Sequence, residues 1–481
     1  VPLNWGTMQS VAESLERLGD LARTPSVARL ADAFQTAGFE LALVGGPVRD
    51  ALLGRVVHDL DLTTDARPDD ILRIVAPVAD AVWDVGRQYG TIGARFGDDT
   101  VEITTYRSDS YDGTTRKPEV EFGNSLEGDL LRRDFTVNAL ALRLPEVRLV
   151  DPSGGVEDLI AGTITTPSTP QISFGDDPLR MMRAARFTAQ LGFTVDAETR
   201  DAMTAMADRI EIVSAERVRD ELSKLLLADE PRAGLELLVE TGLADHVLPE
   251  IPALRLEADE HHHHKDVYQH SLTVLEQAIG YEKERHPGEA PDLTLRLAAL
   301  LHDIGKPATR RFEPGGAVSF HHHDIVGAKL AKKRLTALRF DKATIDAVAR
   351  LIELHLRFFG YTDGHWTDSA VRRYVRDAGP ELDRLHILTR ADVTTRNRRK
   401  ADRLSFAYDD LEARIRELQE QEELDAVRPD LNGEQVMGIL GLRPGREVGQ
   451  AMRFLLELRL DEGPLGEEEA ARRLLAWWAD R

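Results

Sequence analysis

The chain of 481 residues contains no cysteine. Disulfides and thiolate metal sites are therefore excluded, and a metal would have to be held by imidazole and carboxylate groups. Also missing is any run near the ~20 uninterrupted apolar residues that a membrane-spanning helix needs, so no membrane association is expected. The first residues, VPLNWGTMQSVAESL, lack the basic segment and apolar run of a secretory signal, and the expected setting is cytoplasmic. Positive charge is in short supply: 61 Lys and Arg stand against 83 Asp and Glu, for a net charge of -22. That balance argues against a protein that coats nucleic acid indiscriminately, because phosphate contacts want Lys and Arg. A local basic groove stays possible.

A hydrophobic fraction of 42% is enough to bury several cores, and the length suggests three or four compact units. Residues 1–25 read as an N-terminal helix. From 26 to 150 apolar runs alternate with helical spacing: a helix over Val27–Ala37, the run FELALV, a Gly-Gly turn, a strand around DLDLTT, a helix from Pro68 to Ala79, then the strands TIGARF and TVEITTY. That pattern predicts an α+β head with a small mixed sheet. After DPSGG at 151–155 strands are expected to stop. An all-α chain should follow, divided as a helical neck and RNA-binding region (151–255), a metal-binding helical domain (256–400) and C-terminal helices (401–481).

Two motifs in the head carry chemistry. Gly45 and Gly46 end an apolar strand, and Pro47 suits the first turn of a helix, so backbone N–H groups can face a triphosphate. Downstream, Asp59 and Asp61 flank Leu60. On a strand the period of two puts both carboxylates on one face, where they can hold Mg2+ against nucleotide phosphates and activate an attacking 3'-hydroxyl. The ordered set GGPVRDALLG then DLD resembles the class II tRNA nucleotidyltransferase and bacterial poly(A) polymerase family, within the polymerase-beta-like nucleotidyltransferases. The resemblance implies a metal-binding pair at Asp59 and Asp61 and a nucleotide-binding loop at Gly45, Gly46 and Arg49. Glu102, in TVEITTYR, is a candidate further carboxylate, although a solvated strand glutamate would look the same.

The segment LRRDFTVNAL (131–140) places Arg133 near Asp134 and, read as a helix, sets Asn138 one turn beyond it on the same face. It matches the family's RRDFTxNA motif, which implies contacts to the sugar and phosphates of the incoming nucleotide. In FGDDPLRMMRAARF (174–187), Asp177 and Arg180 are three apart and read as helical neighbours. Cytosine and adenine each present an amine donor beside a ring-nitrogen acceptor. A carboxylate with a guanidinium can therefore pair with both and reject uracil and guanine, whose order is reversed. This matches the family's EDxxR motif, whose Asp and Arg act as amino-acid templates; Asp176 stands at its Glu position, and Arg183 joins the nucleotide-binding set. The stretches DPSGGVEDL and SAERVRDEL resemble the family's head–neck link and neck motif. The loop 107–122, with Arg116, Lys117 and Pro118, matches the flexible segment that helps the family switch from C to A.

A second constellation follows. HKDVYQHS, LLHDIGKP, FHHHDIVGA, LIELHLR and TRADVTTR supply His270, His302, Asp303 and Asp392 in the ligand order of the HD superfamily. His323 and His355 fall where two-metal members carry extra histidines. Imidazole and carboxylate suit a divalent transition metal or Mg2+ able to generate hydroxide from water. In this family the HD domain implies hydrolysis of cyclic phosphates or phosphomonoesters. The run His261–His264 reads as native sequence near the site mouth, and Arg396, Arg398, Arg399 and Lys400 as either a charged helix face or a tRNA phosphate contact.

The expected activity is addition of CCA to the tRNA 3' end from CTP and ATP. A poly(A) polymerase shares most of the head motifs. A phosphohydrolase whose N-terminal half only holds RNA is the alternative from another class, and it would have no use for the Asp59 and Asp61 pair.

Overall fold

The computed structural model describes residues 8–57, 59–107, 123, 125–255, 266–314, 318–358, 360–361, 366–393, 398–422 and 428–480. Two compact units divide the chain, residues 1–249 and 250–481.

The first unit is built on a mixed sheet of β1 (Leu41–Val44), β2 (Leu60–Thr64), β3 (Ala81–Trp83), β4 (Thr91–Phe96), β5 (Asp99–Thr105), β6 (Ala141–Leu144) and β7 (Arg148–Val150), in the order β3-β4-β5-β2-β1-β6-β7. Only β2 and β5 run parallel; the other pairs are antiparallel. Alternation decides the faces. Leu60 and Leu62 of β2, Val101 and Ile103 of β5, and Ile92 and Ala94 of β4 are buried, while Asp61 and Glu102 between them are exposed. The helices Pro25–Ala37 and Pro68–Val75 pack against the sheet strands β1, β4 and β5. Each begins on a proline in its first turn, where the missing N–H costs nothing. Gly38, at φ +80°, ends the first of them by returning its N–H to Gln35.

Beyond the sheet the unit is helical: Pro170–Asp176, Leu179–Leu191, Ala197–Ala205, Ala215–Leu226, Arg232–Glu240 and Leu243–Val247. The expectation that strands end at 155 needs two amendments: here Thr163–Ile164 pairs in parallel with Thr194–Val195, and the second unit adds a short hairpin. Two residues a side are too few for a periodic signal in the sequence.

The second unit is helical apart from a short hairpin, Arg311–Phe312 with Val318–Ser319. The helix Leu293–Leu301 is almost entirely buried, as its composition LTLRLAALL requires. Its one charge, Arg296, is fully buried and donates to Glu282 at 2.8 Å from Nη2. Near the end of the chain Leu431, Val436, Ala451, Leu455, Ala470 and Leu474 form a core of their own. Among the described residues no helix is long and apolar enough to cross a membrane.

Candidate active site and metal centre

Gly45 follows β1 at φ +70°, a conformation that suits glycine. A Cβ there would stand 3.1 Å from Arg133 Nη1, so the turn also makes room for that guanidinium. The helix Gly46–Leu52 starts directly after it. It carries Arg49, which donates from Nη1 to Asn138 Oδ1 at 2.6 Å and from Nε to Asp50 at 2.8 Å.

Asp59 precedes β2 by one residue, Asp61 is its second residue, and Glu102 is paired with Asp61 across the parallel ladder. The Asp61 carboxyl is raised above its ordinary range. Desolvation contributes most; Arg133 opposes it, and the charges of Glu102 and Asp59 add to it. Three carboxylates that repel one another are a donor set that a divalent cation would relieve.

The segment 131–140 is not the continuous helix expected from its spacing. The helix Leu126–Leu131 stops, Phe135 is extended, and Thr136–Asn138 forms a single 3-10 turn. The backbone departs because Asp134 Oδ1 takes the Phe135 N–H at 2.8 Å and Thr136 donates its N–H to Thr165 O at 2.8 Å. Asp134 and Asn138 still meet, with Nδ2 donating to Oδ1 at 3.1 Å. Burial alone would raise the Asp134 carboxyl. Arg183, whose Nη2 lies 2.6 Å away, and the Asn138 amide outweigh burial and hold it at about 2. Asp129 is handled similarly. Its burial is offset by Arg133 at 3.1 Å and Arg132 at 3.0 Å, and its carboxyl lies below the usual range.

Asp177 and Arg180 do not share a helical face either. Pro178 separates two helices; Asp177, extended at φ -143°, ends the first, and Arg180 lies in the first turn of the second. Asp177 Oδ1 accepts the Leu179 N–H at 3.1 Å and Oδ2 accepts Arg217 Nη2 at 2.8 Å. Arg180 donates to Ser173 Oγ at 2.8 Å and to the Arg132 carbonyl at 2.7 Å. Both side chains are thus anchored from behind by other partners. They line one pocket of about 420 Å³ together with Asp61, Arg133, Asp134 and Arg183. Arg107, Thr91 and Thr104 also line it. Arg217 and Arg107 were not singled out by themselves in the sequence, although each lies in a segment that gave a signal, the neck motif SAERVRDEL and the loop 107–122. Of the loop 107–122 only Arg107 belongs to the described residues, so Arg116, Lys117 and Pro118 lie outside them.

In the second unit, four helix ends and one helix interior converge. His270 lies inside Val267–Arg285, and His302, His355 and Asp392 cap the C-termini of Leu293–Leu301, Lys342–Leu354 and Leu382–Ala391. Asp303 follows His302, and His323 begins His323–Ala337. His270, His302 and Asp392 bring ligand atoms within 4.8 Å of one another, and so do Asp303, His323 and His355. Asp303 stands between the two groups, with Oδ2 3.3 Å from His302 Nε2 and Oδ1 3.3 Å from His323 Nε2. Three of the rings are oriented alike. Nδ1 of His302, His323 and His355 donates to the carbonyls of Ala299, Phe320 and Ile352 at 2.9, 2.8 and 2.6 Å.

That leaves Nε2 of all three buried with no hydrogen-bond partner, the tautomer and aim of a metal ligand. Burial disfavours a charged His302, yet Asp303 and Asp392 outweigh it and push it up to about 10. His355, buried beside that charge, is lowered to about 4. The two carboxylates are held well below their usual range by the histidines despite burial. The centre therefore demands positive charge, and six nitrogen and oxygen donors fit a divalent cation. Of the nearby basic cluster, Arg399 is exposed and Arg396 lies outside the described residues, as does His261–His264.

A carboxylate-bearing mixed sheet with a charged pocket, followed by a helical His/Asp centre, is the plan of a nucleotidyltransferase joined to an HD domain. Residues 41–165 match the poly A polymerase head domain, 192–254 the probable RNA and SrmB-binding site of polymerase A, and 267–397 the HD domain. The A-adding tRNA nucleotidyltransferase of Deinococcus radiodurans is 36% identical over 91% of this chain and 95% of its own. The CC-adding tRNA nucleotidyltransferase of Thermus thermophilus is 33% identical over 90% and 93%. The Bacillus subtilis CCA-adding enzyme is 40% identical over 44% and 52%. The chain belongs to the tRNA nucleotidyltransferase family and is an enzyme. Its fold is also that of the Bacillus stearothermophilus CCA-adding enzyme crystallised with CTP, at 23% identity, a TM-score of 0.68 and coverage of 99% of both chains.

Proposed function

We propose that this enzyme adds CCA to tRNA 3' ends, transferring CMP and AMP from CTP and ATP without a nucleic-acid template. The observation that carries the reading is the single pocket that collects Asp61, Asp177 and Arg180. It puts a carboxylate suited to a metal beside a carboxylate–guanidinium pair suited to the shared pairing edge of cytosine and adenine. Asp177 accepts from the base amine while Arg180 donates to the ring nitrogen, and Arg217 and Ser173 keep the two side chains from turning away. Arg133, Arg183 and Arg49 meet the triphosphate and sugar, with Asp134 and Asn138 holding the guanidiniums in place. Asp59 and Asp61 would hold Mg2+, which neutralises phosphate charge and favours the 3'-hydroxylate. The protein's own contribution is positioning and preorganised charge.

In the second unit, His270, His302, Asp303, His323, His355 and Asp392 would hold one or two divalent ions, which supply hydroxide near neutral pH. The orphaned Nε2 atoms support this, and phosphomonoesters or cyclic phosphates at RNA 3' ends are the fitting substrates. The carbonyl-held imidazoles fix the ligand geometry, and Lys306, 2.6 Å from Asp303, adds positive charge beside the centre.

The test uses tRNA lacking its CCA end with CTP and ATP, separately and together. The expected product is CCA, formed only when both are present. A single A added only to tRNA ending in CC would match the Deinococcus relative instead, and CC with no A the Thermus one. Long A tails with indifference to CTP would mean a poly(A) polymerase.

A further inference from the structure

The pairing register of the head runs one continuous row across four strands. Asp61 of β2 is opposite Glu102 of β5, Glu102 is opposite Gly93 of β4, and Gly93 is opposite Trp83 of β3. Residues paired in a ladder point to the same face, so the Trp83 indole stands on the face that carries the Asp61 and Glu102 carboxylates. A Cβ on Gly93 would come within 1.9 Å of Trp83 Nε1. The indole therefore leans across the position left bare by the glycine, towards Glu102. At neighbouring strand spacings of roughly 4.8 Å, this brings its ring to about 10 Å from the Asp61 strand. Trp83 keeps 36% exposure, much for a tryptophan laid against a sheet.

Cations also stand on this face, beside the Asp61 and Glu102 carboxylates. Arg95, two residues along β4 from Gly93, shares its face and is exposed. Thr91, two residues the other way, accepts from Arg107 Nη2 at 3.2 Å, and Arg107 lines the nucleotide pocket. The nucleotide pocket spans the carboxylate row: Arg133, Asp134, Asp177 and Arg180 line it together with Thr91 of β4 and Thr104 of β5. Trp83, on the strand beyond Thr91, is not itself among the residues that line the pocket.

We infer that Trp83, seated over Gly93, is the stacking platform for a base at the 3' end of the RNA acceptor, with Arg95 and Arg107 beside the adjoining phosphates. The inference rests on the nucleotidyl-transfer reading above. Stacking of a base on an aromatic ring tolerates any base. The platform can therefore serve each successive acceptor end while Asp177 and Arg180 choose the incoming nucleotide.

The experiment is steady-state kinetics on tRNA lacking CCA, together with a fluorescence titration of the same tRNA without nucleotide. Trp83→Ala is expected to raise the tRNA KM by about 5- to 150-fold, the range for loss of one base stack, while the KM for CTP and kcat stay near wild type. Trp83→Phe, which keeps a ring, restores most of the loss. Gly93→Ala, which leaves the tryptophan but occupies its seat, reproduces the rise and decides the matter should Trp83→Ala not fold. Because the chain has five tryptophans, the titration compares wild type with Trp83→Phe. A larger quench in wild type supports the stack. An unchanged tRNA KM in both Trp83→Ala and Gly93→Ala, or equal quenching in wild type and Trp83→Phe, overturns it. The titration needs no turnover, so wild-type inactivity on tRNA would count against the transfer reading and not against the platform.

Discussion

Glu102 stands directly opposite Asp61 in the parallel ladder of β2 and β5, and its charge contributes to the raised pKa of the Asp61 carboxyl. A glutamate placed there for solubility alone would be an unfavourable choice, since like charges on neighbouring strands repel.

The first prediction concerns that pair. Asp61→Asn lowers kcat for nucleotide addition by on the order of 10³-fold, the scale of losing several kcal/mol of metal-borne stabilisation. Glu102→Gln is expected to lower it at least ~10-fold and to raise the Mg2+ concentration needed for half-maximal rate. An unchanged magnesium dependence in Glu102→Gln would return Glu102 to the role of a solvated strand residue.

Base choice should fail in a particular way. Asp177→Ala removes the acceptor for the amine, so discrimination of CTP over UTP falls by ~10-fold or more, as lost hydrogen-bond readout predicts. Arg217→Ala leaves that carboxylate in place but unanchored, and a smaller loss in the same direction is expected. Measuring kcat/KM for CTP and UTP with each variant separates the two effects. If Arg217→Ala alters only the tRNA KM, it holds RNA and not Asp177.

Stability at low pH should depend on Asp134. Its carboxyl titrates at about 2 in the folded protein against ~3.9 unfolded. The stabilisation is therefore full above about pH 4 and is lost as the pH falls towards 2. Its size is about 2 kcal/mol. Asp134→Asn is expected to lower the urea midpoint at pH 7, with the gap to wild type narrowing between pH 4 and 2. A gap independent of pH would show that packing, not the Arg183 ion pair, sets the cost.

The helical centre makes a prediction about metal content. Elemental analysis of the purified protein is expected to find up to two divalent ions in the second unit, and His355→Ala or His323→Ala should remove one of them. Chelation should abolish phosphohydrolysis and leave nucleotide addition recoverable with Mg2+ alone. Full metal content in the doubly substituted His302→Ala, His355→Ala protein would defeat the assignment.

Much of the site was legible because its motifs are local. Gly45, Gly46 and the Asp59–Asp61 pair announce themselves within eighteen residues, and the His302–Asp303 dyad within two. Helical spacing misled in two places. Asp134 with Asn138, and Asp177 with Arg180, have intervals that fit a helix, yet one pair meets through a 3-10 turn and the other flanks Pro178. Periodicity cannot distinguish these cases, because a side-chain hydrogen bond to the backbone or a proline ring overrides it locally.

The sequence by itself determined the mixed head, the helical remainder and the identity of the chemical groups, since apolar alternation and residue type are written directly in it. Only the tertiary structure decided which groups meet. Glu102 reaches Asp61 through strand order, Arg217 reaches Asp177 across 40 residues, and Asp303 joins two histidine groups drawn from different helices. The same holds for Trp83: its place beside the carboxylates follows from β3, β4, β5 and β2 lying in register. Register is fixed by burying one face of the whole sheet at once, a condition that no single segment of the chain contains.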